Sequence, residues 1–182
     1  MYLYTIPKVH VEDLSVRGIP DETLLNATLE ISTRVKGKGK MHLSLYHRGV
    51  YTGVPGAEFP DNKKVLEETV SIEGDGLWEY QLKKPALWSA EVPDLYELVL
   101  EVTDGKKVLE VIHQYVGFRR FEMKDGLMLL NGKRIVFKGV NRHEFGATTG
   151  RALRKEDTLT DILTMKQHNI NAIRTSHYPN SS

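Results

Sequence analysis

Apolar and polar residues alternate with a period of two along most of residues 1–117. The runs are Val9–Val16, Leu24–Ser32, His42–Tyr46, Lys64–Ile72, Trp78–Leu82, Tyr96–Val102 and Lys107–Ile112. Alternation of this kind sets one face of a strand in a core and the other in water. Gly18, Gly37, Gly74, Gly76 and Asp104-Gly105 punctuate the runs and read as turn residues. About seven short strands in ~100 residues predict an immunoglobulin-like β-sandwich. A Greek-key barrel has the same spacing, and the order of strands is not readable from the pattern. The basic run Lys36-Gly37-Lys38-Gly39-Lys40 reads as a solvated hairpin turn, because glycine breaks elements. Trp78 and Trp88 read as anchors of the sandwich.

The pattern changes near Gly117-Phe118-Arg119-Arg120, which sets expected domains at 1–117 and 118–182. Leu127–Phe137 reads as a hairpin around Asn131-Gly132, a favoured two-residue turn, with the second arm running on to Asn141. A helix is expected from Glu156 to about His168. Leu159, Ile162 and Leu163 share one face, and Glu156 and Asp157 lie at the positive end of the helix dipole. Asn169 suits a left-handed stop. Residues 170–174 read as the next strand, buried and parallel to the first. Strand, helix and parallel strand make a βα unit. The chain is thus expected to be mainly β, a sandwich followed by a truncated βα segment.

Composition narrows the chemistry. Charged residues are 27%, hydrophobic residues 40% and the net charge is +1, so no broad basic field points to nucleic acid. No apolar run approaches the ~18 residues of a membrane span. Met1-Tyr2-Leu3-Tyr4 leads directly into a strand pattern without a leader-like stretch, and cysteine is absent, so a cytoplasmic setting is expected. The lack of cysteine also excludes disulfides, thiolate nucleophiles and cysteine zinc sites.

The segment Asn171–Asn180 carries the strongest functional signal: an apolar-polar run ending in Arg174, His177, Tyr178 and Pro179. His143 follows the end of the first βα strand, and His177 follows the end of the second. Neighbouring parallel strands would set both at the carboxyl edge, where α/β folds gather their sites. Arg174 lies at the same edge, and Asn141 and Arg142 hold the matching place on the first strand. Together they point to a pocket for a polar ligand. His143-Glu144 opens like a zinc-protease helix, but Ala147 stands where the second histidine is needed. Ser176-His177 is not a triad, because adjacency in sequence does not give a Ser–His hydrogen bond.

In order along the chain, Leu87–Tyr96, Gly117-Phe118-Arg119, Leu130–Lys133, Phe137–Glu144, Asp161–Lys166 and Asn171–Pro179 resemble glycoside hydrolase family 2. The Asn-Arg-His-Glu and Ser-His-Tyr-Pro segments resemble its β-galactosidase branch. The resemblance implies a (β/α)₈ barrel after the sandwich. It also implies a retaining hydrolase acting on terminal β-D-galactosides such as lactose. It gives His143 and His177 the task of hydrogen-bonding galactosyl hydroxyls, Arg174 that of pairing with the nucleophile carboxylate, and Asn141 a supporting place. The family's acid/base and nucleophile glutamates match no residue here, so these 182 residues alone are expected to be inactive. The parent family often uses magnesium and sodium, whose ligands match nothing in this stretch, so no cofactor is assigned. The resemblance further implies a homo-oligomeric parent, and open barrel strands are expected to make the fragment self-associate through residues 125–182 or to dock them on the sandwich. The alternatives are a β-glucuronidase or β-mannosidase of the same family, or a non-enzymatic sandwich for domain contacts or sugar binding.

Overall fold

The computed structural model describes residues 5–52 and 57–180. The Met1–Tyr4 stretch, where a leader would begin, lies outside them. Two compact units divide the chain, Met1–Lys133 and Arg134–Ser182.

The first unit contains the immunoglobulin-like sandwich. Its strands are β1 (His10–Pro20), β2 (Asn26–Val50), β3 (Lys63–Lys83), β4 (Asp94–Thr103) and β5 (Val108–Val116), paired antiparallel. β2 is 25 residues long. Up to Lys36 it pairs with β1, from Lys40 it pairs with β4, and β3 accompanies it throughout. The β2–β3 ribbon therefore belongs to both layers. β1 and the early half of β2 form one layer with the late half of β3. The late half of β2, the early half of β3, β4 and β5 form the other. Strands that change sheet do so through bulges or bends. Counting β2 and β3 once in each layer recovers the seven segments that the alternation predicts.

The crossing point corrects one expectation. The register slips between Val35 and Lys38, where Gly37 has φ 84° and, on β3, Gly74 has φ 68°. Lys36–Lys40 is not a hairpin turn but a bulge within a continuous strand, and Gly74 and Gly76 likewise lie inside β3. A left-handed glycine serves a bulge as well as a turn, so glycine alone does not tell them apart. Gly76 also makes room for an aromatic ring: a Cβ there would overlap the indole of Trp78.

The core follows the alternation. Leu29 and Ile31 from one layer and Met41, Leu43, Leu45, Leu98, Leu100 and Val102 from the other are fully buried. Trp78 packs against this cluster. Trp88 does not; it lies under the Arg119 guanidinium, 4.7 Å from its ring, and donates its backbone N–H to the Phe118 carbonyl at 2.8 Å. Tyr96, at the start of β4, accepts the Ala86 N–H on its hydroxyl at 2.9 Å, a tyrosine-corner arrangement that fixes the entry to the strand.

The β1–β2 turn contains a carboxylate tuned by hydrogen bonds. Asp21 accepts the Asn26 side-chain amide at 2.9 Å and the Thr23 hydroxyl at 2.8 Å, and these donors, Asn26 foremost, hold its pKa down at about 2 from an ordinary 3.8. A depressed carboxylate stabilises the folded state fully above its unfolded pKa, and that contribution is lost as pH falls through the folded value. Asn26→Ala is expected to move the Asp21 titration back toward 3.8 and to flatten the acid limb of stability between about pH 4 and pH 2. Carboxyl NMR titration and urea unfolding across that range check it. An Asp21 midpoint unchanged in the variant would contradict the assignment.

The sandwich is followed by β6 (Phe121–Lys124), β7 (Leu127–Leu130) and β8 (Lys133–Arg134). Asn131 and Gly132 both take positive φ, 49° and 73°, as a two-residue turn of the predicted kind requires. Asp125-Gly126 makes a second such turn between β6 and β7. The second arm does not run on to Asn141 as expected: it ends at Arg134, and Asn141 lies on a separate strand, Gly139–Arg142. Asn131 also donates from its side chain to the Trp88 carbonyl at 3.0 Å, tying this hairpin to the end of the sandwich.

The second unit holds β9 (Gly139–Arg142), α1 (Lys155–Gln167) and β10 (Ala172–Thr175). β9 and β10 are parallel, with Arg174 opposite Asn141 and Thr175 opposite Arg142. The Arg154 N–H donates to the Asp157 carboxylate at 2.9 Å at the start of α1, and Asn169 ends the turn beyond it at φ 59°. β10 is not the buried strand expected for residues 170–174: none of its residues is buried, and Ile173 is exposed. Parallel strands are buried when helices cover both faces, and this unit has one helix for two strands.

Candidate functional site

Two loops leave the carboxyl ends of β9 and β10, and each delivers a histidine. His143 directly follows β9 and His177 comes two residues after β10. Because the strands are parallel and in register, the loops emerge side by side. The imidazole centroids are 5.4 Å apart and nearly perpendicular, at 81°. His143, His177, Phe145, Arg151 and Tyr178 line an open cavity of about 600 Å³.

The walls are held by local contacts. Gly146 and Gly150 exchange backbone hydrogen bonds of 2.7 and 2.9 Å, closing a tight loop that carries Phe145 before it and Arg151 after it. The Arg151 guanidinium lies 4.8 Å from the Tyr178 ring, a favourable cation–π distance. Tyr178 donates its hydroxyl to the Glu144 carbonyl at 3.3 Å, and its ring is 6.1 Å from His143. The pocket therefore offers imidazole donors and acceptors beside an aromatic face and one cation. Such a surface suits a hydroxyl-rich ligand with apolar C–H faces.

Arg174 and Asn141 do not line this cavity. Arg174 is exposed and donates Nη1 to Asn141 Oδ1 at 3.4 Å, across the paired strand ends. Arg142 departs from the sequence expectation. It does not share the ligand edge with Asn141 but turns the other way, buried toward α1. Successive side chains on a strand point to opposite faces, so Asn141 and Arg142 face opposite ways. Ser176 is buried and donates its hydroxyl to the Arg174 carbonyl at 3.3 Å, a structural bond rather than a link to His177. Phe145 and Arg151 escaped the sequence reading. A lone aromatic and a lone arginine in a loop carry no periodic signal, and only the Gly146–Gly150 closure brings them back to the strand ends.

Among the described residues, no group of three or more His, Asp or Glu side chains is arranged to hold a metal ion. No helix among them is long and apolar enough to cross a membrane.

Comparison with known proteins covers both units. Residues 9–119 match the model of glycosyl hydrolases family 2, and residues 121–182 match that of the family's TIM barrel domain. Over its whole length the chain is 50% identical to a β-galactosidase from Streptococcus thermophilus and 48% identical to one from Halalkalibacterium halodurans. It spans 17% of the length of each. Among solved structures it is similar to Bacteroides uniformis β-glucuronidase 3, with a TM-score of 0.83 at 30% identity over 99% of this chain and 21% of the other. A Parabacteroides merdae β-glucuronidase with glycerol in its active site gives 0.81 at 28% identity, over 97% of this chain and 22% of the other.

Proposed function

We propose a function from one premise: the chain belongs to glycosyl hydrolases family 2. In our reading it is the sandwich and first βα segment of a retaining β-galactosidase that hydrolyses terminal β-D-galactosides. The facing pair of His143 and His177 at the carboxyl ends of adjacent parallel strands carries the reading. Identity of 50% to a β-galactosidase, against 30% to a β-glucuronidase of similar fold, favours galactose over glucuronic acid as the sugar.

His143 and His177 then hydrogen-bond hydroxyls of the galactosyl ring. Bonds that tighten as the ring becomes oxocarbenium-like lower the barrier, whereas bonds of equal strength in substrate and transition state would only improve binding. Arg174, steadied by Asn141, offers its guanidinium to the nucleophile carboxylate, keeps that group ionised and fixes its rotamer. In a retaining enzyme one carboxyl protonates the leaving oxygen while another, about 5–5.5 Å away, attacks the anomeric carbon. We assign both carboxyls to the part of such an enzyme that these 182 residues do not include.

The test is hydrolysis of nitrophenyl glycosides by the full-length polypeptide that carries this chain, with proton NMR of the first-formed sugar. The β-D-galactoside is expected to be the preferred substrate and to give the β-anomer first, while residues 1–182 alone give no turnover. Preference for the glucuronide would replace the galactosidase reading with the glucuronidase one, and an α-anomer as first product would overturn the retaining mechanism.

A further inference from the structure

The strand end that presents His143 is held from behind by a buried cation. Arg142 closes β9, and its side chain is 7% exposed. Nε donates to Asp161 Oδ2 at 2.9 Å and Nη2 to Thr158 Oγ1 at 3.2 Å, both on α1. Nη1 is buried 3.8 Å from Glu144 Oε1. The Arg142 carbonyl accepts the Ser176 N–H at 2.9 Å, one residue before His177. A single residue thus touches the helix, the residue after His143 and the residue before His177.

Its surroundings explain why so much rests on it. α1 buries none of its residues, so apolar packing contributes little to holding the helix on the strands. A charged side chain is rarely this buried unless it is paired and hydrogen-bonded, and removing a partner leaves an uncompensated charge. The guanidinium plane presents its donors in a fixed fork, and two of them meet acceptors one helical turn apart. Lysine replaces that fork with one ammonium nitrogen and does not reproduce its geometry. Asn141 precedes Arg142 on β9 and His143 directly follows the strand, so the way Arg142 is held sets the backbone from which His143 departs.

We propose that Arg142 is a positioning residue: by clamping Asp161 and Thr158 it locks α1 to the carboxyl end of β9 and holds His143 facing His177. The proposal rests on the reading of this pocket as a glycoside site, and its test separates the two. In the full-length polypeptide, Arg142→Lys and Asp161→Asn each remove part of the clamp, the second with almost no change in shape.

The first arm is structural. Crystal structures of the variants are expected to show the His143 and His177 rings moved apart from 5.4 Å, or His143 split between rotamers. Rings that stay in place in both variants overturn the proposal, whatever the activity. The second arm is a double-mutant cycle. A small displacement of a positioned group costs roughly 10–100-fold, so Arg142→Lys is expected to lower kcat/KM by that factor, chiefly through kcat. In a His143→Ala background it should cost less than about twofold, because the group it positions is gone. An equal loss in both backgrounds would show a general structural role and overturn the proposal. Should His143→Ala leave hydrolysis unchanged while the variant structures show the rings displaced, the glycoside reading fails and the clamp stands. If Arg142→Lys does not fold, Asp161→Asn carries both arms.

Discussion

His143→Ala and His177→Ala are each expected to lower kcat/KM on a β-galactoside by roughly 10²–10³-fold in the polypeptide that carries this chain, a loss typical of removing one preorganised transition-state donor. The loss should fall mainly on kcat. An interaction realised only as charge develops on the ring leaves KM nearly unchanged, whereas a uniform binding contact raises KM alone. The imidazoles are 5.4 Å apart, close enough to share one bound sugar. The double variant is therefore expected to lose less than the product of the single losses, as contacts to a common ligand are not additive. Steady-state kinetics on a nitrophenyl galactoside settle the matter. If both variants stay within about twofold of the parent, the pocket is not the glycone site. A rise in KM at constant kcat would demote the pair to ground-state binding.

Phe118→Ala is expected to destabilise the sandwich by about 3–5 kcal/mol, the usual range for deleting a core phenylalanine. Phe118 is fully buried and packs edge-on against Tyr96, with ring centroids 5.0 Å apart at 86°. A Cβ on Gly18 would come within 2.8 Å of the ring, so the aromatic fills the space opposite β1 closely. Its backbone receives the Trp88 N–H and forms an isolated bridge to Leu87. Deleting the ring leaves a cavity beside Tyr96 within the buried cluster. Against the roughly 5–15 kcal/mol that holds a typical domain folded, this is a large fraction. Urea unfolding followed by the fluorescence of Trp78 and Trp88 measures it. A midpoint within experimental error of the parent would show that Phe118 is not part of the cooperative core.

Much of this arrangement is legible residue by residue. Alternation from Leu24 to Ser32 and from Tyr96 to Val102 marks which side chains turn inward, and the buried positions follow it. Asn131-Gly132 encodes its turn because few other pairs take positive φ twice in succession. The helix lies within one residue of its expected bounds, Lys155–Gln167 against Glu156–His168, since acidic residues at one end and Asn169 at the other are local signals. The placement of His143 and His177 just beyond two parallel strands is of the same kind.

Other features depend on which segments meet. Period-two alternation is identical for a strand that stays in one sheet and one that crosses to another. Lys36–Lys40 therefore reads as a turn from its sequence, and it is the sharing of β2 by β1 and β4 that makes it a bulge. Burial of β10 could not be inferred from its own apolar residues, because it depends on which helices cover the sheet. Arg151 reaches the pocket only through the Gly146–Gly150 closure and its stacking on Tyr178. Arg142 meets Asp161 and Thr158 only because α1 lies against the face it takes on β9. The elements, their inward residues and the two histidines at the strand ends are thus written locally in the chain, because they follow from short-range sterics and periodicity. The sheet crossing, the pocket walls and the Arg142 contacts with α1 arise only on folding, because each needs contacts between segments whose pairing no local pattern specifies.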